Sequence, residues 1–153
     1  MKVVASDYGG RHRLPERTGH VLIKLGNAIN ALTERALAPL GLRGKHLHVL
    51  TLVSEHQLSQ HELAELIGTD RTSMVGVIDD LERLGLAIRK RSETDRRKYL
   101  ILPTDKAIDT LNHAVSMLDA AEHDLFQTLS PAEHTLLGDI AKRLLRKAAG
   151  GST

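Results

Sequence analysis

Apolar residues recur at alternating three- and four-residue spacings over much of this chain, a pattern that predicts helices with one buried face. The first such stretch begins at Thr18, and Pro39 and Gly41 are expected to end it. A second helix is predicted over Lys45 to Ser54. The expected inward positions of these two helices are Leu22, Leu25, Ile29, Leu32 and Ala36, followed by Leu47, Leu50 and Val53.

A capping box marks the start of the next helix. Ser59 and Glu62 fit the S-x-x-E pattern, in which the hydroxyl and the carboxylate each accept a backbone N–H of the other residue. The helix is predicted to run through Ile67, with Gly68 as its C-terminal stop. Thr69 is then the expected N-cap of a further helix. Two helices around so short a turn are typical of a helix-turn-helix.

The second helix of this pair combines a buried stripe with a polar first turn. Asp70 is favourable in that turn, because its negative charge meets the positive end of the helix dipole. Gly85 is expected to close the helix. The predicted buried stripe is Met74, Val77, Ile78, Leu81 and Leu84. The opposite side carries Arg71, Thr72 and Ser73.

A basic hairpin is predicted directly after these helices. Two short strands, at about 87–91 and 98–102, flank a polar turn. Six Lys or Arg lie between Arg89 and Lys98, against two acidic residues, although the whole chain has a formal net charge of only +2. The distribution of charge, more than its total, therefore indicates a nucleic-acid partner. Helix, turn, helix and basic hairpin in this order predict a winged helix-turn-helix.

Two long helices are predicted after the hairpin. Pro103 and Thr104 start the first, and a second capping box from Ser130 to Glu133, with Pro131 at the first helical position, starts the last. Their apolar positions are Ile108, Leu111, Val115, Leu118, Leu125 and Leu129, then Leu136, Leu137, Ile140, Leu144 and Leu145. The helix-turn-helix and its hairpin are too small to cover so much apolar surface. Pairing with a second copy is expected, with a monomer whose end helices fold back as the alternative.

The predicted fold class is mostly α with a small β-hairpin wing: a winged helix-turn-helix with long N- and C-terminal dimerisation helices. The chain's 153 residues suffice for one domain with a core. That domain is expected over 1–153. Its parts are a flexible arm at 1–13, dimerisation helices at 14–38 and 104–149, and a DNA-binding lobe at 43–102.

Composition excludes several other classes. The chain has no cysteine, so disulfides and thiolate metal sites are impossible. Two Tyr and one Phe cannot form a base-stacking platform, which favours double-stranded DNA over single strands or RNA. No apolar run approaches the roughly 20 residues of a membrane span, and a cytoplasmic protein is expected. Without a Gly-rich phosphate loop or a nucleophile-elbow pattern, neither an enzyme nor a cofactor is expected.

The run DRTSMVGVIDDLERLGL at 70–86, followed by the D-R-R wing signature at 95–97, resembles the MarR family of bacterial transcription regulators. The Leu40-Gly41-Leu42 approach to the second helix fits as well, and the resemblance covers about 18–148. It implies a triangular homodimer with terminal helices as its body and winged lobes that each read half of a pseudo-palindromic operator. Many relatives release DNA when a small ligand binds, so the resemblance implies a ligand-responsive repressor.

The first turn of the recognition helix carries the predicted base contacts, because that end enters the major groove. Arg71 can contact guanine through two hydrogen bonds, and Thr72 and Ser73 can bond bases or phosphates. Val75 and Gly76 stand where many relatives carry polar groups, so the base contacts are expected to concentrate in this turn. The alternative is that the three residues only cap the helix and face water.

In the wing, the resemblance implies that Arg97 reaches into the minor groove, with Asp95 holding this or a nearby guanidinium by a charge-assisted bond. The expected phosphate contacts are Arg89, Lys90, Arg91, Arg96 and Lys98. Ser59 and Gln60 open the helix that crosses the DNA backbone and are further candidates, although capping alone explains the serine.

A ligand pocket is implied between the dimer body and the reading lobe. Its candidate residues are Leu25, Ile29, Asn30, His46, Leu47 and Leu50, and a small aromatic or phenolic effector is the implied ligand. Apolar walls with a few polar groups are typical of ligand pockets and equally of packed interfaces.

Two alternatives to this function remain at the level of the sequence. The chain has nine histidines, and some MarR-like regulators sense zinc, which makes a zinc-responsive regulator of the same fold one alternative. Against it, His46 and His48 are two residues apart on a helix and point to different sides. The other alternative is a winged-helix module that binds a protein partner.

Overall fold

The computed structural model describes residues 17–150. Within this range the chain forms six α-helices and three β-strands. The helices are α1 (Thr18–Leu37), α2 (Gly44–Glu55), α3 (Gln60–Ile67), α4 (Arg71–Arg83), α5 (Asp105–Phe126) and α6 (Pro131–Ala148). The strands are β1 (Leu58–Ser59), β2 (Ala87–Arg91) and β3 (Tyr99–Pro103). The predicted mostly α winged helix-turn-helix is confirmed, and the arm expected at 1–13 lies outside the described residues.

The sheet has one strand more than the sequence predicted. Strands β2 and β3 form the wing hairpin, and β1 pairs antiparallel with the other edge of β3, which gives the order β1-β3-β2. Leu58 of β1 and Arg89 of β2 both lie opposite Ile101. A strand of two residues is too short to show an alternating pattern. Its pairing joins the start of α3 to the base of the wing.

The core lies in the lobe formed by α2, α3, α4 and the sheet. Its fully buried side chains include Leu50, Leu63, Met74, Ile78, Leu81 and Ile101, and the end of α1 adds Leu37. The predicted stripe of α4 is buried, except that Leu84 is half-buried. In α2 the prediction was partly wrong, because His46, Val49, Leu50 and Val53 form the buried face and Leu47 lies at its edge.

The helix-turn-helix is fixed by polar caps at the turn. Gly68 adopts a left-handed φ of 69° after α3, and the N–H of Thr69 donates to the carbonyl of Ala64 at 3.0 Å. Thr69 thus completes the cap of α3 and does not start α4, as the sequence had suggested. Asp70 is the N-cap of α4: its Oδ1 accepts the N–H of Ser73 at 2.8 Å.

The terminal helices leave apolar surface uncovered. Helix α1 packs along α5, whereas α6 has no buried residue. The exposed large apolar residues of these elements are Val21, Leu22, Ile23, Ile108, Val115, Leu136, Leu144 and Leu145. No helix in the described part of the chain is long and apolar enough to cross a membrane.

Candidate nucleic-acid interface

The first turn of α4 presents the predicted base-reading residues to solvent. Arg71, Thr72 and Ser73 are all exposed. Asp70 organises this turn, because it accepts the backbone N–H of Ser73 at 2.8 Å and its hydroxyl at 2.6 Å. These hydrogen bonds from Ser73 hold the pKa of Asp70 below its usual range. Arg71 forms no ion pair within residues 17–150 and keeps its guanidinium available.

The hydroxyl of Ser73 has fewer hydrogen bonds to offer DNA than the guanidinium of Arg71. Since Ser73 donates its hydroxyl proton to Asp70, its hydroxyl can only accept a hydrogen bond from a further partner. Gly76, one turn further on, is exposed and no atom lies within 4 Å of where a Cβ would be placed. The middle of the helix therefore carries no polar side chain toward this surface until Asp79.

The wing turn is held by its own backbone. Ser92 donates its N–H to the carbonyl of Lys98 at 2.9 Å, and Lys98 donates its N–H to the carbonyl of Asp95 at 2.9 Å. The carboxylate of Asp95 accepts the backbone N–H of Arg97 at 3.0 Å. The resemblance implied a contact between this carboxylate and a guanidinium. Among the described residues, Asp95 lies in no ion pair, and its carboxylate shapes the turn through this backbone hydrogen bond.

The outer cations of the wing are exposed. Arg96 and Arg97 form no ion pair within the described residues, and both project from the tip. Arg91 lies with its Cζ 5.5 Å from the ring centroid of Tyr99 and donates to the phenol oxygen at 3.2 Å. Lys98 lies 3.7 Å from Glu62, a surface pair of low strength. Arg96 and Arg97 are thus available to a polyanion, and Arg91 and Lys98 are exposed beside weak surface partners.

Arg89 differs from the other wing cations. Its side chain is only 26% exposed and its guanidinium contacts the carboxylates of Asp79 and Glu82. The sequence had assigned it to the same phosphate-binding set as Arg91, and nothing in its local pattern distinguishes the two.

The candidates at the start of α3 are largely occupied by the fold. Ser59 is buried, and its hydroxyl and N–H both bond to Glu62, at 2.6 and 2.8 Å. These bonds from Ser59 hold the pKa of Glu62 below its usual range. The side chain of Gln60 is half-buried and accepts from Arg89 at 3.4 Å. Phosphate contact by Ser59 would have to use the helix backbone, and it stays a prediction.

The six candidate ligand residues divide into two groups. Leu25, Ile29 and Leu47 are half-buried, and Asn30 is exposed. Leu50 is 0% exposed and belongs to the lobe core. His46 is 4% exposed, and both of its ring nitrogens are engaged by the protein. Ligand contact by the half-buried group stays a prediction, while His46 and Leu50 offer little free surface.

His46 is a structural junction that the sequence did not reveal. Its Nδ1 accepts the backbone N–H of Arg43 at 3.0 Å, and its Nε2 lies 3.4 Å from Asp80 on the recognition helix. Burial lowers the pKa of His46, and the charge of Asp80 offsets this in part. Glu34 of α1 completes the junction, because its Oε1 accepts the N–H of Gly44 at 2.9 Å. Only the fold brings these residues together.

No metal centre is formed in the range that the structure covers. Among residues 17–150 no group of three or more His, Asp or Glu side chains is arranged to hold an ion. His46 is buried, whereas His48 is exposed, in line with the divergence expected for two helical residues this far apart.

The fold and the exposed cations define a winged helix-turn-helix protein with a basic wing. Residues 40–98 match the model of the MarR family. A protein described as a transcriptional regulator of the hcr operon of Thauera aromatica is 37% identical over 90 residues, which are 59% of this chain and 54% of that protein. The matched segment thus spans about half the length of this relative.

Solved structures extend the likeness over nearly the whole chain. A MarR-family transcriptional regulator from Rhodococcus sp. RHA1 is 28% identical, with a TM-score of 0.75 over 88% of this chain and 94% of that one. CouR from Rhodococcus jostii RHA1, bound to p-coumaroyl-CoA, is 28% identical, with a TM-score of 0.78 over 93% and 99%. The repressor CouR bound to a 23-mer DNA duplex has a TM-score of 0.79 at 26% identity, over 95% and 100%. These matches confirm the predicted resemblance to the MarR family, and the chain has the winged helix-turn-helix fold of these MarR-family structures.

Proposed function

We propose that this chain is a transcriptional regulator that binds duplex DNA sequence-specifically, as a homodimer on a pseudo-palindromic operator. The observation that carries the proposal is the joint exposure of Arg71 in the first turn of α4 and of Arg96 and Arg97 at the wing tip. One lobe thereby offers a helix end for a major groove and cations for the backbone and minor groove. The DNA complex of CouR supports this arrangement.

Each contact has a distinct role in the proposal. Arg71 reads a base edge through its planar guanidinium, which matches the two acceptors of guanine. Arg97 enters a narrow minor groove, whose negative potential attracts a cation without reading individual bases. The remaining exposed wing cations, Lys90, Arg91, Arg96 and Lys98, neutralise phosphates and supply salt-dependent affinity.

The dimer is proposed to form through the terminal helices, and residues 1–153 are proposed to act as one domain. Helix α6 has no buried residue, and Leu136, Leu144 and Leu145 are at least half exposed. Apolar faces of this length are costly to leave in water and a two-fold partner covers both copies at once. The dimer would place its two lobes on successive major grooves. Because a DNA-binding regulator acts on the genome, we propose that the protein is cytoplasmic.

We further propose a repressor that releases DNA when an aromatic effector binds. CouR holds p-coumaroyl-CoA, which supports an aromatic or phenolic acid, or its CoA thioester, as the class of ligand. The half-buried Leu25, Ile29 and Leu47 provide apolar surface where the body meets the lobe. A ligand there would favour a lobe spacing that no longer fits the operator. Titration of the DNA complex with p-coumarate and with p-coumaroyl-CoA tests this part, and undisturbed complexes with both would remove this ligand class.

The experiment for the main proposal is selection of bound duplexes from a random library by the full chain. We expect an enriched pseudo-palindrome with half-sites about one helical turn apart. Binding without an enriched sequence would contradict sequence-specific regulation and indicate backbone binding alone. Absence of binding at low salt would contradict the DNA-binding role altogether and favour a protein partner.

A further inference from the structure

We infer that Arg89 is a positioning residue that locks the wing against the recognition helix and does not contact phosphate. The inference rests on the proposed function for its effect on DNA binding, whereas its structural part concerns the free protein. It assigns Arg89 a role different from that of the exposed cations on the same hairpin.

The contacts of Arg89 join three elements. Its guanidinium contacts Asp79 Oδ1 at 2.6 Å and also Glu82, both on α4, and it lies 3.4 Å from the amide oxygen of Gln60 on α3. The backbone N–H of Arg89 donates to Glu82 Oε1 at 3.1 Å. Strand β2 is therefore tied to the recognition helix by both the main chain and the side chain of one residue.

The charges around Arg89 argue against a phosphate contact. Two carboxylates already occupy the guanidinium, and its side chain is 26% exposed. A phosphate would have to displace Asp79 or Glu82, which would leave an unpaired carboxylate beside a polyanion. Arg96 and Arg97 carry no such partner within the described residues and meet a phosphate at no comparable cost.

The contacts of Arg89 with Asp79 and Glu82, called the clamp below, also affect the charge of the recognition helix. Asp79 follows Thr72 by seven residues, which is about two turns, so the two lie on the same face of α4. Its negative charge thus lies on the side of the helix proposed to face DNA. The guanidinium of Arg89 neutralises that charge and at the same time fixes the strand that leads into the wing.

The clamp predicts coupling between the two reading elements. Arg89 lies three residues before Ser92, where the wing turn begins, so its attachment sets the direction in which the tip leaves the lobe. A minor-groove contact by Arg97 is productive only when the tip is held at the correct distance from the helix in the major groove. Without the clamp, the contribution of Arg97 should diminish.

The first test uses the free protein. Hydrogen exchange of the wing amides is compared in wild type, in Arg89→Gln and in Arg96→Gln, which removes the same charge from the same hairpin. We expect at least ten-fold faster exchange of the Ser92 and Lys98 amides in Arg89→Gln alone. Equal exchange in all three proteins would overturn the inference, and this result does not depend on DNA binding.

The second test is a double-mutant cycle on the selected duplex. If Arg89 positions the wing, Arg97→Ala should weaken binding at least three-fold less in the Arg89→Gln background than in wild type. The same fold-change in both backgrounds would indicate an independent contact and overturn the inference. Failure of wild type to bind any duplex would instead count against the proposed function.

If the Arg89→Gln variant does not fold, Arg89→Lys replaces it in the double-mutant cycle. A lysine can still meet a phosphate, but its single ammonium cannot bridge two carboxylates in the planar geometry of a guanidinium. We therefore expect Arg89→Lys to uncouple Arg97 as the glutamine variant does. Full retention of the Arg97 effect with lysine at this position would contradict the clamp.

Discussion

The imidazole of His46 links the start of α2 to the recognition helix, with its Nε2 3.4 Å from Asp80 Oδ2. Because Nδ1 accepts the N–H of Arg43 at 3.0 Å, it carries no proton, and the proton of the neutral ring lies on Nε2, where it points to Asp80. Protonation of Nδ1 would remove this acceptor. The junction therefore depends on the neutral ring.

His46→Ala should destabilise the protein at pH 7.5 by about 2 kcal/mol, because it removes a buried partner of two polar groups. The folded pKa of His46 is lowered below its unfolded value, so its contribution is complete above that value, about 6.5, and is lost as the pH falls below it. Urea unfolding at pH 7.5 and 5.5 should thus show a smaller difference between wild type and variant at pH 5.5. His48→Ala, at an exposed position, is the control, and an equal difference at both pH values would contradict the account.

Ser59→Ala should destabilise the protein by about 1 kcal/mol, because α3 loses its N-cap. Ser54→Ala is a suitable control, since that hydroxyl only donates back to the carbonyl of Leu50 within α2. Both variants are compared by urea unfolding at neutral pH. A loss at Ser54 as large as that at Ser59 would show that the capping box does not stabilise the fold selectively.

Leu144→Glu should shift the protein toward monomer. Leu144 is half exposed on the apolar face of α6, and a charge there would be buried in the proposed dimer. Lys142→Glu adds a negative charge about 200° around the same helix and should leave the association unchanged. Sedimentation velocity over a concentration series distinguishes the outcomes, and equal association of wild type and both variants would place the interface elsewhere.

Arg71→Ala should weaken binding to the selected duplex by about 1–3 kcal/mol and relax the preference at one base-pair position in each half-site. Arg83→Ala is the matched control at the other end of α4, where the guanidinium is paired with Asp80 at 2.7 Å. The readout is the dissociation constant for each single-base substitution of the duplex. An unaltered substitution profile with Arg71→Ala would exclude direct readout by this residue.

Features set by local sequence were predictable. The buried stripe of α4 follows from apolar spacing, and the capping boxes at Ser59 and Ser130 follow from four-residue patterns. The N-cap of α4 was misplaced by one residue, because Thr69 and Asp70 are both good caps and only the structure shows that Thr69 closes α3.

Features set by distant contacts were not predictable. Arg89 and Arg91 look alike in the sequence, yet only the first meets the carboxylates of α4, which lie seven and ten residues away. His46 was a polar candidate for a ligand pocket, yet it is buried and its Nε2 lies 3.4 Å from Asp80 on another helix. In both cases the partner lies on α4, a different element, and local patterns do not encode such contacts.

The most direct test of the central claim is a competition titration of the full chain with the selected duplex and a scrambled duplex of equal length and composition. At physiological salt we predict that the selected duplex binds at least about 1,000-fold more tightly, as specific regulators do relative to non-specific DNA. Equal affinity for the two duplexes would contradict the account, because phosphate contacts alone would then explain the binding.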